Sequence, residues 1–335
     1  MKIGIISFAH MHAYSYAQAI INMEGVELAG IADDNKERGE KYAAEFGTAY
    51  YADYKQLLDQ GLDGVVVTSE NIRHKEHVVA AAAAGVHVMC EKPIATTMED
   101  AREMIASCEA NGVMLQTAFP VRFSTSVRRA KEIVDSGSLG DIIAMKGTNR
   151  GQNPGGWFID PALSGGGAVI DHTVHVVDIM RWFTGAEIAE VYAEIDNLVY
   201  DTPIDDSGII SMTFDNGIFA TLDCSWNRNR NYPTWGDVTL EIVGTSGTLS
   251  LDAMNQKINV FSDVNGYKHA FWGDDMDTGL VGDFIKGIRE GSKQASVTGV
   301  DGMRAVEVAL AAYASAKQQD TVKLGADWAV SGDRS

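Results

Sequence analysis

The sequence predicts an α/β domain of the doubly wound, Rossmann type with a parallel sheet, followed by an α+β domain with a large, open, mostly antiparallel sheet. Three observations support this. Short continuous apolar segments alternate with helical segments over residues 1–120. Alternating apolar and polar segments separated by turns dominate after residue 190. The length of 335 residues also exceeds that of one typical domain. We expect domains at residues 1–120 and 121–335.

The first domain is expected to contain strands at residues 2–7, 26–32, 64–68 and 86–90. Helical segments separate them at residues 14–21, 36–46, 54–62 and 75–84, and the first has Tyr14, Ala17, Ile20 and Ile21 on one face. Because right-handed crossovers connect such strands, ligands are expected beyond their carboxyl ends.

The second domain is expected to begin with a helix at 126–135 and a strand at 142–147. A Gly-rich segment at 164–167 then leads into a helix at 170–183. Further strands are predicted at 191–195, 207–214, 219–225, 238–244 and 248–251, and a late helix at 302–318 is expected to pack back toward the first domain. Helices cover one face of such a sheet, and its other face must also be covered. We therefore expect a homo-oligomer, either a dimer or a tetramer, that forms through this face.

Charge and cysteine content limit the classes of partner. The net charge is −19, from 27 basic and 46 acidic residues, which repels nucleic acid and anionic membrane surfaces. The three cysteines are odd in number and far apart, as is typical of a reducing compartment. We expect a cytoplasmic protein with a small-molecule substrate, without a signal peptide or a membrane span.

The turn after the first strand is the candidate dinucleotide site. It lies between a buried strand and a helix, but it lacks all three glycines of the G-x-G-x-x-G fingerprint. Its residues are Ser7, Phe8, Ala9, His10, Met11 and His12. The prediction therefore depends on this context and on an acidic residue about 20 positions later.

That acidic residue is Asp33, at the end of the second strand. A carboxylate at this place would accept the ribose hydroxyls of NAD. The adjacent Asp34 would repel a 2′-phosphate, which makes NADP the less favoured cofactor. The alternative is that both acids only cap the helix that begins near Asn35.

His10 and His12 also suggest a metal, because histidines two apart can share one ion. No cysteine or carboxylate lies nearby in sequence to complete such a site. The sequence therefore predicts no metal.

Five further segments, in order, resemble those of the glucose–fructose oxidoreductase, inositol dehydrogenase and MocA (Gfo/Idh/MocA) family. They are residues 65–74, the Glu-Lys-Pro segment 85–93, residues 137–142, the segment 165–178 and residues 238–251. The sequence departs from the family at the glycine-less turn, at Pro120 and at His172.

The resemblance implies an NAD-dependent oxidoreductase that transfers a hydride between the nicotinamide and a carbinol of a sugar, cyclitol or polyol. It implies that Lys92 and His175 lie at the reacting hydroxyl and that Asp171 orients them or binds a neighbouring hydroxyl. Helical spacing supports a shared face independently, since Asp171, His175 and Asp178 recur at i, i+4 and i+7. We hypothesise that His175 takes the proton while Lys92 hydrogen-bonds the same oxygen.

Other residues complete the predicted site. Those expected to face the cofactor are Thr68, Ser69, Asn71, His74, Glu91, Lys92 and Arg122. Those expected at the substrate are Lys92, Arg122, Asn149, Trp157, Asp171, His172 and His175, with Arg150, Phe158, Trp226 and Trp235 as further candidates.

Two alternatives stay open at this point. One is a glycoside-cleaving relative that uses NAD for transient oxidation. The other is a catalytically silent, cofactor-sensing regulatory relative, which the missing glycines favour and the retained Lys92, Asp171 and His175 oppose.

Overall fold

A computed structural model gives the fold and describes residues 1–232, 234–264, 266–271 and 273–325. The strands are β1 (Lys2–Ile6), β2 (Glu27–Ala32), β3 (Tyr50–Tyr51), β4 (Gly64–Val67), β5 (His87–Cys90), β6 (Leu115–Thr117), β7 (Ile142–Thr148), β8 (Ile188–Asp196), β9 (Ser207–Phe214), β10 (Phe219–Asp223), β11 (Thr239–Gly244), β12 (Thr248–Asp252), β13 (Lys257–Ser262), β14 (Gly266–Phe271) and β15 (Val322–Lys323). The helices are α1 (His12–Ile21), α2 (Lys36–Phe46), α3 (Tyr54–Leu58), α4 (His74–Ala83), α5 (Met98–Asn111), α6 (Thr125–Asp135), α7 (Pro161–Ser164), α8 (Ala168–Thr184), α9 (Met276–Arg289) and α10 (Gly299–Gln318).

The first sheet is parallel, with the strand order β3-β2-β1-β4-β5-β6. Its central strands are buried on both faces, which explains why they read as continuous apolar segments. The chain winds outward from β1 in one direction and from β4 in the other. A ligand crevice is therefore expected where the carboxyl ends of these two strands diverge.

The second sheet has the order β12-β11-β7-β10-β9-β8-β15, and its pairs are antiparallel except for β7 with β10. Buried and more exposed residues alternate along β9, where Ile210, Met212 and Phe214 are buried and Ile209 is half exposed. The helices α8 and α10 pack against the strands of this sheet. The predicted fold class is confirmed.

Several elements differ from the prediction. The strands β3, β6 and β15 have only two or three residues, too few to show a pattern, and the helices α5 and α9 were also not predicted. The helix α3 ends at Leu58 rather than at residue 62. On α1, Ala17 and Ile20 are buried as expected, but Tyr14 and Ile21 are exposed. Tyr14 lies at the surface with its ring against those of Tyr42 and Phe46.

The late helix α10 contacts elements from both parts of the chain: α8 and β8 on one side, α5 and β6 on the other. It thereby fixes the two sheets relative to one another beside the site described below. None of the helices in the described ranges is both long and apolar enough to cross a membrane. The three cysteines are buried free thiols.

Candidate active site

The turn after β1 has the backbone of a glycine turn without its glycines. Ser7 has a φ of +71°, in the left-handed region that ordinarily favours glycine. Its carbonyl accepts a hydrogen bond from Thr68 Oγ1 at 2.6 Å, and its Oγ accepts one from the backbone N–H of Ala9 at 3.1 Å. The surrounding structure therefore holds Ser7 at the first glycine position of the fingerprint.

Asp33 lies at the predicted ribose position at the end of β2, and it is buried. Its Oδ2 accepts from the N–H of Phe8 and from Arg38 Nε, at 2.7 and 2.8 Å. Its Oδ1 accepts from the N–H of Asn35 and from a terminal nitrogen of Arg38, at 2.9 and 2.8 Å. These four bonds use the acceptor sites of the carboxylate, so Arg38 must shift before Asp33 can accept a ribose hydroxyl.

Asp34 is half exposed and pairs with Arg73 at 2.5 Å. Burial by itself raises the pKa of Asp34, but the hydrogen bond and the charge of Arg73 bring it below its usual value. The cap of α2 is Asn35, whose side chain accepts from the N–H of Arg38. Neither acid is thus the helix cap that the alternative interpretation proposed.

The predicted catalytic residues meet at the carboxyl edge of β5. Lys92 Nζ lies 2.5 Å from Asp171 Oδ1, and both side chains are buried. Asp171 Oδ2 accepts from the indole N–H of Trp226 at 3.2 Å. Burial by itself raises the pKa of Asp171, but the charge of Lys92 and then that of His172 hold it below its usual range. Asp171 is therefore an anion that orients Lys92.

The start of α8 is fixed by a carboxylate from the loop before β9. Asp205 accepts from the N–H groups of Gly167 and Val169 at 2.9 and 2.8 Å, and from Tyr313 Oη at 2.8 Å. A Cβ atom at Gly167 would lie 1.9 Å from the carbonyl oxygen of Asp205, so only glycine allows this approach. The Gly-rich segment thus positions Asp171 in the first turn of α8.

His175 lies one turn further along α8 and is buried, with its Nδ1 lacking a hydrogen-bond partner. Burial, followed by the positive charge of Lys92, holds the pKa of His175 well below its usual value. The ring is therefore neutral and can accept a proton.

His172 adjoins the same carboxylate, with its Nε2 3.4 Å from Asp171 Oδ2 and its Nδ1 3.2 Å from the carbonyl of Cys224. Asn149 donates to the carbonyl of His172 at 3.1 Å. A Cβ at Gly151 would lie 2.7 Å from the His172 ring, so this glycine leaves room for the histidine that departs from the family pattern.

Sequence reasoning did not find the cluster of Glu91 with the two turn histidines. Glu91 is fully buried, and its Oε1 lies 3.0 Å from His12 Nδ1 and 3.8 Å from His10 Nδ1. Burial by itself raises the pKa of Glu91, but the charges of His10, His12 and Lys92 hold it well below its usual range. The three residues form one group suited to metal binding.

A cavity of about 190 Å³ joins these groups. Its lining includes the predicted residues His10, Met11, His12, Lys92, Asn149, Phe158, Asp171, His172, His175 and Trp235, and also Pro120, Val121, Pro154, Val238, Met254, Met276 and Asp277. No sequence pattern indicated Asp277 as a site residue, because the helix α9 that carries it was not predicted. A cavity of about 560 Å³ between α5 and α10 contains none of the predicted residues.

Several predicted residues contact protein groups instead of the cavity. Arg122 forms a bidentate pair with Asp178, both bonds being 2.5 Å, and is not among the cavity residues. The buried carboxylate of Asp178 holds two nitrogens of its guanidinium, and the contact of Arg122 with substrate or nicotinamide stays a prediction. Asp178 is fully buried in this pair, as a polar residue of the core whose hydrogen bonds are satisfied.

The loop after β4 also makes internal contacts. Ser69 Oγ bonds His77 Nδ1 at 2.9 Å, and the His74 ring bridges the carbonyls of Pro93 and Ser69 at 3.0 and 3.1 Å. Asn71 donates to the carbonyl of Ser164, but its Oδ1 is buried without a partner. Trp157 stacks on Phe158 and donates to the carbonyl of Ala9 at 3.0 Å, so it closes over the nucleotide turn.

Comparisons with known proteins agree with this arrangement. Residues 1–119 match the family model described as an oxidoreductase family with an NAD-binding Rossmann fold, and residues 127–250 match that of the GFO/IDH/MocA C-terminal domain. Together they cover well over half of the chain.

Individual relatives match at similar length. A myo-inositol 2-dehydrogenase of Thermotoga maritima is 28% identical over 97% of this chain and 98% of its own. The crystal structure of a myo-inositol 2-dehydrogenase from Lactobacillus plantarum aligns with a TM-score of 0.83 and 25% identity over 97% of this chain and 99% of that chain. GenD2 from gentamicin A biosynthesis, solved with NAD, aligns with a TM-score of 0.89 over 97% of each chain. Its 24% identity shows the fold alone.

The Rossmann turn and the family matches define an NAD-binding oxidoreductase. The chain belongs to the GFO/IDH/MocA family. Its own residues fit the dinucleotide at the edge formed by β1, β4 and β5. The left-handed Ser7 opens the turn, and two buried polar atoms are without partners, Asn71 Oδ1 in the loop after β4 and His175 Nδ1 on α8.

Proposed function

We propose that this protein is an NAD-dependent dehydrogenase that acts on a carbinol of a sugar, cyclitol or related polyol. The observation that carries the proposal is the buried Lys92–Asp171 pair with the neutral His175 beside it, in a cavity that opens onto the nucleotide turn. The names of the relatives support the substrate class, since inositol dehydrogenases are among them.

The reaction requires a proton acceptor and a donor at one hydroxyl oxygen. NAD, when bound, supplies the hydride acceptor. In the oxidation direction His175 takes the hydroxyl proton, because its neutral ring has an unpartnered nitrogen. Lys92, held by Asp171, donates a hydrogen bond to the same oxygen and stabilises its developing negative charge.

The residues around these groups supply binding. We assign NAD contacts to the turn of residues 7–12, to Asp33 and to the loop after β4. We assign substrate hydroxyls to Asn149 and His172, which already share a hydrogen bond at the cavity wall. Trp157 contributes by covering the turn, where its indole bonds Ala9.

We further propose that the chain self-associates through the outer face of its second sheet. Large apolar side chains stand exposed there on four strands of the sheet, namely Tyr192 on β8, Ile209 on β9, Phe219 on β10 and Val243 on β11. A contiguous exposed face of this kind is typical of a protein interface.

Thermal unfolding with NAD, with NADP and with neither tests the cofactor assignment, since a ligand that binds only the folded state raises the midpoint. We expect a shift with NAD that exceeds the shift with NADP. An equal or larger shift with NADP would overturn the assignment of Asp33 and indicate that Arg38 and Arg73 bind the additional phosphate. A preparation that shows no shift and releases no nucleotide on denaturation would support the silent regulatory alternative.

A further inference from the structure

The two histidines of the nucleotide turn and the glutamate of the Glu-Lys-Pro segment converge from places 79 to 81 residues apart. His10 and His12 stand where a glycine turn has almost no side chain, and both line the cavity. Glu91 enters from the end of β5. We propose that His10, His12 and Glu91 bind one divalent transition-metal ion, with Zn²⁺ as the chemistry that fits best.

The distances fit a shared ion. Ligand atoms about 2.1 Å from a tetrahedral metal lie about 3.4 Å from one another. Glu91 Oε1 is 3.0 Å from His12 Nδ1 and 3.8 Å from His10 Nδ1, so the observed separations bracket that value. One ligand atom from each of the three residues lies within 4.8 Å of the others. The Nδ1 of His10 accepts a hydrogen bond from the backbone N–H of His12 at 3.2 Å, so an ion bound at that nitrogen would replace this hydrogen bond.

Burial also favours an ion over three independent side chains. Glu91 is fully buried and His10 is 3% exposed, and the Nε2 of His10, which is not the nitrogen measured to Glu91, has no hydrogen-bond partner. His12 is the accessible member, with 30% of its side chain exposed. An ion could therefore enter from the cavity on the side of His12.

The local charge favours a cation. The carboxylates of Asp171 and Asp277 line the cavity together with Lys92, and the buried carboxylate of Glu91 lies behind them against His12. Asp171 already balances Lys92 at 2.5 Å. The carboxylates of Glu91 and Asp277 remain beside the two imidazoles.

The donor set identifies the class of metal. Two imidazoles and one carboxylate suit Zn²⁺ and other late transition metals, whereas Mg²⁺ prefers oxygen ligands. Three protein ligands leave a fourth position for water or for an oxygen of a bound molecule. That position adjoins the cavity, so the ion would provide an attachment point for an anionic or hydroxyl oxygen at a turn that lacks glycines.

The test uses the full chain, freed of metal by dialysis against a chelator and then titrated with Zn²⁺, Co²⁺ or Mg²⁺, with and without NAD. Metal content after gel filtration gives the stoichiometry, and the visible d–d absorption of Co²⁺ reports the coordination. We expect about one equivalent of Zn²⁺ per chain and little Mg²⁺. Substitutions H12N and E91Q remove a ligand and should weaken Zn²⁺ binding by at least roughly 100-fold, because loss of an outer hydrogen-bond partner alone costs about 10- to 100-fold.

The matched control is H87Q, because His87 lies on β5 outside the cavity lining and its ring accepts from the N–H of Met114. It should bind Zn²⁺ as the wild type does, and thermal unfolding of each variant checks folding. If E91Q fails to fold, the partly exposed H12N variant decides. Absence of stoichiometric Zn²⁺, or Zn²⁺ binding unchanged in H12N, would overturn the proposal. NAD binding is measured separately, so either result leaves the proposed dehydrogenase function to its own test.

Discussion

Lys92 contributes a buried positive charge that only its surroundings make tolerable. Its ammonium bonds the side chain and the carbonyl of Asp171, and Trp226 satisfies the second carboxylate oxygen. A buried ion pair needs such completed hydrogen bonding, because each desolvated charge costs several kcal/mol by itself. The pair is thus better explained as a device for positioning Lys92 than as a source of stability.

Replacing Lys92 with alanine tests that role. We expect K92A to lower kcat by about 10² to 10⁴-fold while NAD still raises the unfolding midpoint. Steady-state kinetics and thermal unfolding measure the two effects, and K286A, at an exposed lysine on α9, is the control. Turnover near that of the wild type in K92A would contradict the assignment.

The protonation state of His175 gives a pH prediction. Its pKa is held well below the usual value by burial and by Lys92, with Asp171 opposing and His172 and His12 also facing it. A base works while unprotonated, so a lowered pKa moves the acid limb to lower pH. We expect kcat/KM for oxidation to stay flat from about pH 8 to about pH 6. A fall with a midpoint near about 6.5 would show an ordinary histidine pKa and contradict this environment.

At the scale of elements, the site depends on how strands and helices begin and end. The turn after β1 keeps a left-handed residue at Ser7, and the cap of α8 comes from Asp205 in a distant loop. Each feature fixes the direction in which one element enters the site. Each can be tested with a pair of variants that isolates the backbone effect.

Two substitutions of Ser7 test whether the turn has the left-handed backbone of a glycine turn. S7G and S7A both lose the hydroxyl that accepts from Ala9, but only alanine retains a Cβ in the left-handed region. We expect S7G to be more stable than S7A by roughly 1 kcal/mol in denaturant unfolding. At an ordinary φ the order would reverse, because glycine then loses more entropy on folding.

The cap of α8 links helix geometry to catalysis. Replacing Asp205 with alanine removes acceptors for Gly167, Val169 and Tyr313, and should lower stability by about 1–2 kcal/mol. Because Asp171 lies in the first turn of α8, kcat should fall as well. D53A removes the cap of α3, which accepts from Lys55 and lies away from the cavity, and serves as the matched control. Equal effects of the two variants on kcat would contradict the link.

At the scale of the whole molecule, α8 and α10 cover one face of the second sheet, and large apolar side chains are exposed on its other face. We expect the wild type to have a mass in solution that is a multiple of the chain mass. I209E, on the outer sheet face, should shift the protein toward monomer, whereas I133E, at a similarly exposed isoleucine on α6, should not. Light scattering after gel filtration measures both, and a monomeric wild type would refute the interface.

The sequence predicts local structure better than contacts between residues that are far apart in the chain. The buried strands β1 and β4 follow from continuous apolar residues, and helical spacing places Asp171 and His175 on one face. Glu91 could not be assigned to His10 and His12, because no local pattern connects residues about 80 positions apart. The pairing of Arg122 with Asp178 was not predicted for the same reason, since Asp178 lies on a different helix.

Formation of NADH tests the central claim most directly. The wild type and K92A would be incubated with NAD and a panel of cyclitols, aldoses, anhydrosugars and glycosides, and the absorbance of NADH would be followed. We predict net NADH with at least one cyclitol or sugar, and its loss in K92A. Glycoside cleavage without net NADH would indicate the glycoside-cleaving alternative. A protein that binds NAD but neither reduces it nor cleaves any glycoside of the panel would contradict the account.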